Sequence, residues 1–372
     1  MGKPKKKTGL FYLVNAVLTA VLFTVLFVLI SGKTLNAYYS GIITMVCINV
    51  ILAVSLNLVT GILGQLVLGH AGFMLVGAYA AANFTKAVVN NGGMSLQAAL
   101  PIAMLIGGVI AALFGIVIGI PALRLRGDYL AIITLGFGEI IRVMANAEFL
   151  KPITNGAMGL DGIKTFSTRK EPGTMFVFVF LTMALVIFIS FTFGRSRHGR
   201  SVIAIREDEI AAESMGVNTT YYKLFAFVLA AFIAGVAGAL YAHYIGVIDP
   251  SKFDFNRSVE ILIMVVLGGM GSISGSVISA TVLTILPEVL RDLPAIIVGW
   301  IHNLFALFGA GHLIPEGGGN FSDIRMLLYS IILVSVMLFR PSGLLGRYEI
   351  SLPGLADKLL HRGKKTKTTG EV

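Results

Sequence analysis

The sequence predicts an all-α polytopic membrane protein of about ten transmembrane helices, with broken or short helices near the centre of each half. Three observations carry that prediction. Of 372 residues, 56% are hydrophobic and only 13% charged, about half the charge of an ordinary soluble domain, and mean hydropathy is +0.86. The apolar residues fall in runs, and since a membrane helix takes about 20 residues, roughly ten spans would absorb nearly all of them. The 43 glycines exceed ordinary usage and suit close packing or broken helices in a bilayer. A water-soluble enzyme is disfavoured from the outset.

Behind MGKPKKK, the apolar run from Leu10 to Ile30 outlasts the about 7–15 residues of a signal h-region and lacks a small-residue cleavage site, so it reads as an uncleaved first helix. Further spans are expected near 42–59, 71–87, 98–120, 129–147, 173–193, 223–246, 259–270, 276–291 and 325–339, the eighth and ninth short. Residues 1–9 form a basic N-terminus, 10–340 a transmembrane domain with a polar loop over 194–223, and 341–372 a basic tail ending HRGKKTKTTGEV. The connections 148–172 and 292–324 carry Gly, Pro and Asn and read as irregular or partly re-entrant caps.

Net charge is +10, from 29 Lys and Arg against 19 Asp and Glu. With the N-terminus inside, 18 basic residues fall on the cytosolic side, Arg124 and Arg126 among them, and nine outside, including Arg257 and Arg291. Arg142 and Arg325 lie within or at the ends of spans. That bias puts both termini in the cytosol, and it accounts for the basic charge without nucleic acid. Cys47, the single cysteine, lies in an apolar run, which leaves no disulfide framework and no multi-cysteine metal site within the chain.

Two glycine-broken segments stand out. GILGQLVLGHAGF places Gly61, Gly64, Gly69 and Gly72 between the second and third spans; LGGMGSISGS places Gly268, Gly269, Gly271 and Gly275 between the eighth and ninth. Broken helices at membrane depth are tolerated only where the backbone is buried in protein or lines a cavity, and paired breaks point to a transport path. Plain small-residue packing is the alternative reading of the same glycines. No GxxxxGK followed by Ser or Thr occurs, so ATP binding through a phosphate loop is not expected. Neither HExxH nor GxSxG is present, so no metal site and no catalytic nucleophile are expected.

Carboxylates within the expected spans are Glu139, Glu260 and Glu288. Only Glu139 reads as deep, about 16 Å along the helix from Asp128. Arg142 follows on the same face and can pair with it; a structural pair and a station on a transport path both stay open. His70 and His243 are similarly two-sided, as packing residues or as ligands. In the cytosolic loop, SVIAIREDEIAAESMG (201–216) sets Arg206, Glu207, Asp208 and Glu209 as a polar turn beside the small or apolar Ile205, Ala211, Ala212 and Met215, with Gly216 as a stop. A short surface helix is expected. Its mixed charge and small apolar face are poor for membrane anchoring, so a protein groove is the better seat, through which a partner's movement could enter the membrane.

AAESMG (211–216) resembles the AAxxxG part of the loop by which membrane subunits of ABC importers dock on their ATPases. The wider string GRSVIAIREDEIAAESMGVN is similar to the branched-chain amino acid permeases in particular. So are NLVTGILGQLVLGHAGFMLVGAYAAA, RLRGDYLAIITLGFGEIIR, TNGAMGLDGI, GGMGSISGSVISA and FRPSGLLG, in order over most of 45–346. One departure is Ile210, where the general importer loop has Glu directly before the two alanines. The resemblance implies a permease subunit of a bacterial plasma membrane importer for leucine, isoleucine and valine. It further implies a heterodimer with a second related permease, two cytosolic ATPases carrying ATP and Mg, and an extracytoplasmic binding protein. The chain itself would then bind no cofactor and catalyse nothing. Arg206, Glu207, Asp208, Glu209, Ala211, Ala212 and Gly216 would couple to the ATPase, and Gly61, Gly64, Gly69, His70, Gly72, Glu139, Gly268, Gly269 and Gly271 would border the path. Related permeases serve urea, amides or other amino acids. From the residues alone, a proton-coupled secondary transporter using Glu139 remains the competing class, and a pure scaffold is disfavoured by the paired breaks.

Overall fold

A computed structural model of the chain describes residues 6–89, 92–125, 127–166, 173–291, 322–340, 342–346 and 349. The described residues form helices α1 (Lys6–Ser31), α2 (Ala37–Asn57), α3 (His70–Val89), α4 (Leu96–Ala122), α5 (Asp128–Asn146), α6 (Lys151–Thr154), α7 (Thr174–Arg195), α8 (Arg197–Glu207), α9 (Glu209–Ser214), α10 (Thr219–Ile245), α11 (Phe255–Gly268), α12 (Ile273–Val289) and α13 (Ser322–Phe339). Among them the only β pairing is an isolated antiparallel bridge, Leu160 to Ile248. The chain is an all-α multi-pass membrane protein.

A helix stands at each of the ten expected spans, but they are not ten equal crossings. Five described helices are long and apolar enough to cross a membrane: Ala37–Leu63, which adds a π-helical turn to α2, then α3, α4, α7 and α10. A sixth is obtained when α5 is joined to its continuation Glu148–Met158, bent by 65°. Ile273–Val289 is a shorter apolar helix, and the apolar stretches Val17–Ser31 and Tyr329–Phe339 are parts of α1, of 26 residues, and α13, of 18. The eighth and ninth spans, α11 and α12, have 14 and 17 residues, about 21 and 26 Å of helix.

α2 forms the centre, with every residue from Cys47 to Asn57 buried. α7, α10, α11 and α12 pack around it, and α3, α4 and α10 pack on one another through glycine: a side chain on Gly77 would strike the backbone of Gly235, and one on Gly107 would come within 2.7 Å of the Gly77 carbonyl. Small residues let the backbones close up, which replaces the hydrophobic drive that lipid cannot supply. The outer faces stay apolar, with Leu105, Leu113 and Val117 of α4 and Leu185 and Phe188 of α7 exposed. The connection 148–172 is irregular where described, as its Gly and Asn content foretold. α6 sits between two 3-10 turns, and the cap is pinned to α3 by Asn83 on the Ile153 carbonyl (3.0 Å) and Lys86 on the Asp161 carbonyl (2.8 Å).

Two expectations need correction. The polar loop over 194–223 holds two helices and not one: Asp208 is extended at φ −156°, and its carboxylate caps α9 by accepting from the Ile210 and Ala211 amides. Asp competes for backbone donors in this way and so starts a helix better than it continues one. Arg257, read as an external-loop residue, stands in the first turn of α11. Residues 292–321 of the expected connection 292–324, Arg126, the first five residues and most of the tail beyond 340 lie outside the described residues.

Candidate translocation and coupling site

The two broken segments, far apart in sequence, meet in the fold. After Asn57 the chain widens into a π-turn over Leu58–Leu63 and ends at Gly64, left-handed at φ +77°. At the other break α11 stops at Gly268, and Ser272 starts α12 by accepting the Gly275 amide (3.0 Å). Asn57 joins them. Its Nδ2 donates to the Ser272 carbonyl (3.0 Å), and its Oδ1 accepts the Gly271 amide (2.9 Å). A Cβ at Gly61 would overlap both Asn57 Oδ1 and the Gly271 nitrogen, so glycine there is a condition of the contact.

From the end of α8, Arg206 reaches into this junction. Its Nη1 donates to the Gly61 carbonyl (2.8 Å), and its Nη2 is held by Glu207 (2.8 Å). Its stem lies over Gly64, where a side chain would collide with it, and its Nη1 would be 3.2 Å from a Cβ on Gly271. Arg206 therefore touches both breaks. A third segment closes the junction. The Leu344 and Leu345 amides donate to the Leu267 and Gly268 carbonyls (2.7 and 3.2 Å), satisfying acceptors that the end of α11 leaves orphaned. Glu349 accepts from the Ile273 and Ser274 amides (2.7 and 3.1 Å) and the Ser274 hydroxyl (2.7 Å), a carboxylate placed at the positive end of α12. A cavity of about 240 Å³ opens here between Ile62, Phe191, Arg195, Arg206 and Glu349.

The first break also leans on α5. A side chain at Gly69 would strike the Thr134 carbonyl, and one at Gly72 would come to 3.0 Å of the Gly138 Cα. The next residue, Glu139, forms the expected ion pair with Arg142 at 2.7 Å. His70 is buried with Nε2 2.7 Å from the Ser55 hydroxyl, and His243 sits between Thr85 and the Ala239 carbonyl. Both imidazoles serve helix packing in this arrangement, and among the described residues no cluster of His, Cys, Asp and Glu could hold a metal.

The residues expected to couple to an ATPase divide by direction. Arg206 and Glu209 turn inward, Glu209 to Lys223 of α10 (2.7 Å), whose side chain is only 4% exposed. Ala212 is buried. Glu207, Asp208, Ala211 and Gly216 face out, next to Ile210 and Met215, which are 68% and 85% exposed. Gly216 is left-handed at φ +83° with open space where a side chain would go. Sequence reasoning missed Asn57, Lys223 and Glu349. The first two had a signal, as a lone amide and a lone ammonium in apolar runs; Glu349 had none.

Paired broken spans in an all-α multi-pass protein, tied to a helical loop outside the apolar bundle, define the architecture of a membrane transport permease. The sequence pattern of the family described as branched-chain amino acid transport system / permease component matches residues 38–337, and the chain belongs to that family. It is 36% identical to the high-affinity branched-chain amino acid transport system permease protein LivM of Salmonella typhimurium over 82% of this chain and 69% of that protein. It is 26% identical to LivH of the same organism, covering 86% and 95% of the two chains, and to BraD of Pseudomonas aeruginosa, covering 87% and 96%; both have the same description. No solved structure matches the chain.

Proposed function

We propose that the chain is a transmembrane subunit of an ATP-driven importer, forming half of a path for leucine, isoleucine and valine across a bacterial plasma membrane, with both termini in the cytosol. The observation that carries the coupling is Arg206, which bonds the cytosolic loop to the Gly61 carbonyl beside Gly271. α9 offers the docking surface, through Ile210, Met215 and the exposed edge of Ala211 and Gly216. The Lys223–Glu209 pair and the buried Ala212 hold α9 against α10, so a push on it moves α8 and, through Arg206, the breaks. Two partner ATPases would bind ATP and Mg; an extracytoplasmic binding protein would deliver the solute. A second, related permease is supported by LivM and LivH being two permease proteins of one described system in one organism, both similar to this chain.

The test has two parts. The tagged chain is purified from its native membrane in mild detergent, and co-purification of two P-loop ATPases and a second permease is expected. Deleting the chain is expected to abolish high-affinity uptake of radiolabelled leucine. Isolation of the chain alone together with normal uptake in the deletion strain would refute the reading.

A further inference from the structure

One charged cluster takes no part in the coupling junction. Arg257 of α11 donates from Nη1 to Glu260 Oε2 (2.9 Å) and from Nη2 to Asn49 Oδ1 (2.7 Å), while Asn49 Nδ2 donates to the Thr284 hydroxyl (2.9 Å). Arg257 and Asn49 thus link three helices, α2, α11 and α12. Its depth follows from α2. Asn49 stands at the middle of the span Ala37–Leu63, about 18 Å along the helix from Ala37 and 12 Å from Asn57. α11 is a half-helix that begins at this level and ends at the cytosolic break, so the loop before it carries polar residues down to mid-span.

Arg257 is 17% exposed, but Glu260 is 53% exposed. A half-exposed carboxylate at mid-span cannot face hydrocarbon cheaply; such groups face water-filled cavities or protein partners. The face of α11 that carries Glu260 is therefore turned away from lipid. Asn256 and the half-buried Ile263 share that face at helical spacing. The bonds to Glu260 and Asn49 use two of the five guanidinium N–H groups, and Glu260 retains Oε1.

We infer that Arg257 and Glu260 form a way-station for the zwitterionic head of an α-amino acid, with Arg257 taking its carboxylate, Glu260 its ammonium, and Ile263 touching its side chain. A zwitterion carries both charges on groups joined through one carbon, so it can lie antiparallel to an ion pair as closely spaced as this one and bond to both members. The inference deepens the import reading and rests on it. It concerns positions outside both glycine breaks and the docking loop.

The test uses the complex that co-purifies with the full-length chain, without binding protein, probed by saturation-transfer NMR. Probes are leucine, 4-methylpentanoate, which lacks the ammonium, and 3-methylbutylamine, which lacks the carboxylate. Leucine is expected to bind about tenfold more tightly than either analogue, since each lacks a charge-assisted contact. Glu260→Gln is expected to erase the preference for leucine over 4-methylpentanoate, and Arg257→Gln the preference over 3-methylbutylamine, with the complex still assembled. A purely structural pair would leave these preferences untouched or absent from the start. Equal binding of all three probes to the unaltered complex, or an unchanged preference in Glu260→Gln, overturns the inference; the latter variant decides alone if Arg257→Gln fails to assemble. Failure of the import reading is separate, since it shows as normal leucine uptake without the chain.

Discussion

Replacing Arg206 by Met tests how the cytosolic loop is linked to the broken spans. Met keeps an apolar stem over Gly64, where the Arg206 methylenes now lie, and removes the donor on the Gly61 carbonyl. A hydrogen bond from a charged donor is worth about 1.5–3 kcal/mol net. If the bond persists in only one of the two conformations of the transport cycle, its loss shifts that equilibrium by at most this energy, about ten- to a hundredfold. The loop stays folded, because Asp208 still caps α9 and Glu209 still pairs with Lys223. The expected result is therefore a specific one: the complex assembles and hydrolyses ATP, while leucine taken up per ATP falls, by up to about ten- to a hundredfold. Proteoliposome uptake of radiolabelled leucine, measured beside phosphate release, reads that ratio. Arg206→Lys should recover part of it, because an ammonium can reach the Gly61 carbonyl but cannot hold Glu207 in the same fork. An unchanged ratio in Arg206→Met would refute the linkage.

Gly61→Ala should be worse for folding than for chemistry, because its methyl overlaps Asn57 Oδ1 and the Gly271 nitrogen; thermal unfolding in detergent should show a loss of about 1–3 kcal/mol. Lys223→Met leaves Glu209 without its buried partner, so limited proteolysis should cut near 209–216 faster than in the unaltered chain. At Gly216 the strain of φ +83° costs an alanine only about 1–2 kcal/mol. Gly216→Ala should thus insert and retain uptake, whereas Gly216→Arg, with bulk on the docking face, should insert and lose it; equal uptake in both would remove Gly216 from that face. Glu139→Gln should leave leucine uptake ATP-driven and indifferent to an imposed pH gradient. Gradient-driven uptake by the chain alone, lost in this variant, would restore the proton-coupled reading.

What could be read from the chain alone is what local chemistry decides. Run length and the 1.5 Å rise per residue place the helices, so α2, α4, α7 and α10 lie where the apolar runs do. The breaks are marked locally by the glycines at 61–72 and 268–275, although Gly107 and Gly108 pass through α4 without a break, and Glu139 meets Arg142 because three residues separate them on one helix. Tertiary contact decided the rest. Asn57 bonds Gly271 across 214 positions, and no periodicity reports such a partner. The direction in which Arg206 points depends on the π-turn it covers, and Glu349 caps α12 because residues beyond α13 return to the end of α11. Arg257 was misplaced for the same reason. Its neighbours in sequence are polar and read as a loop, but its depth is set by Asn49 on a helix some two hundred residues earlier, because a side chain's place in a membrane belongs to the bundle that surrounds it and not to the run that contains it.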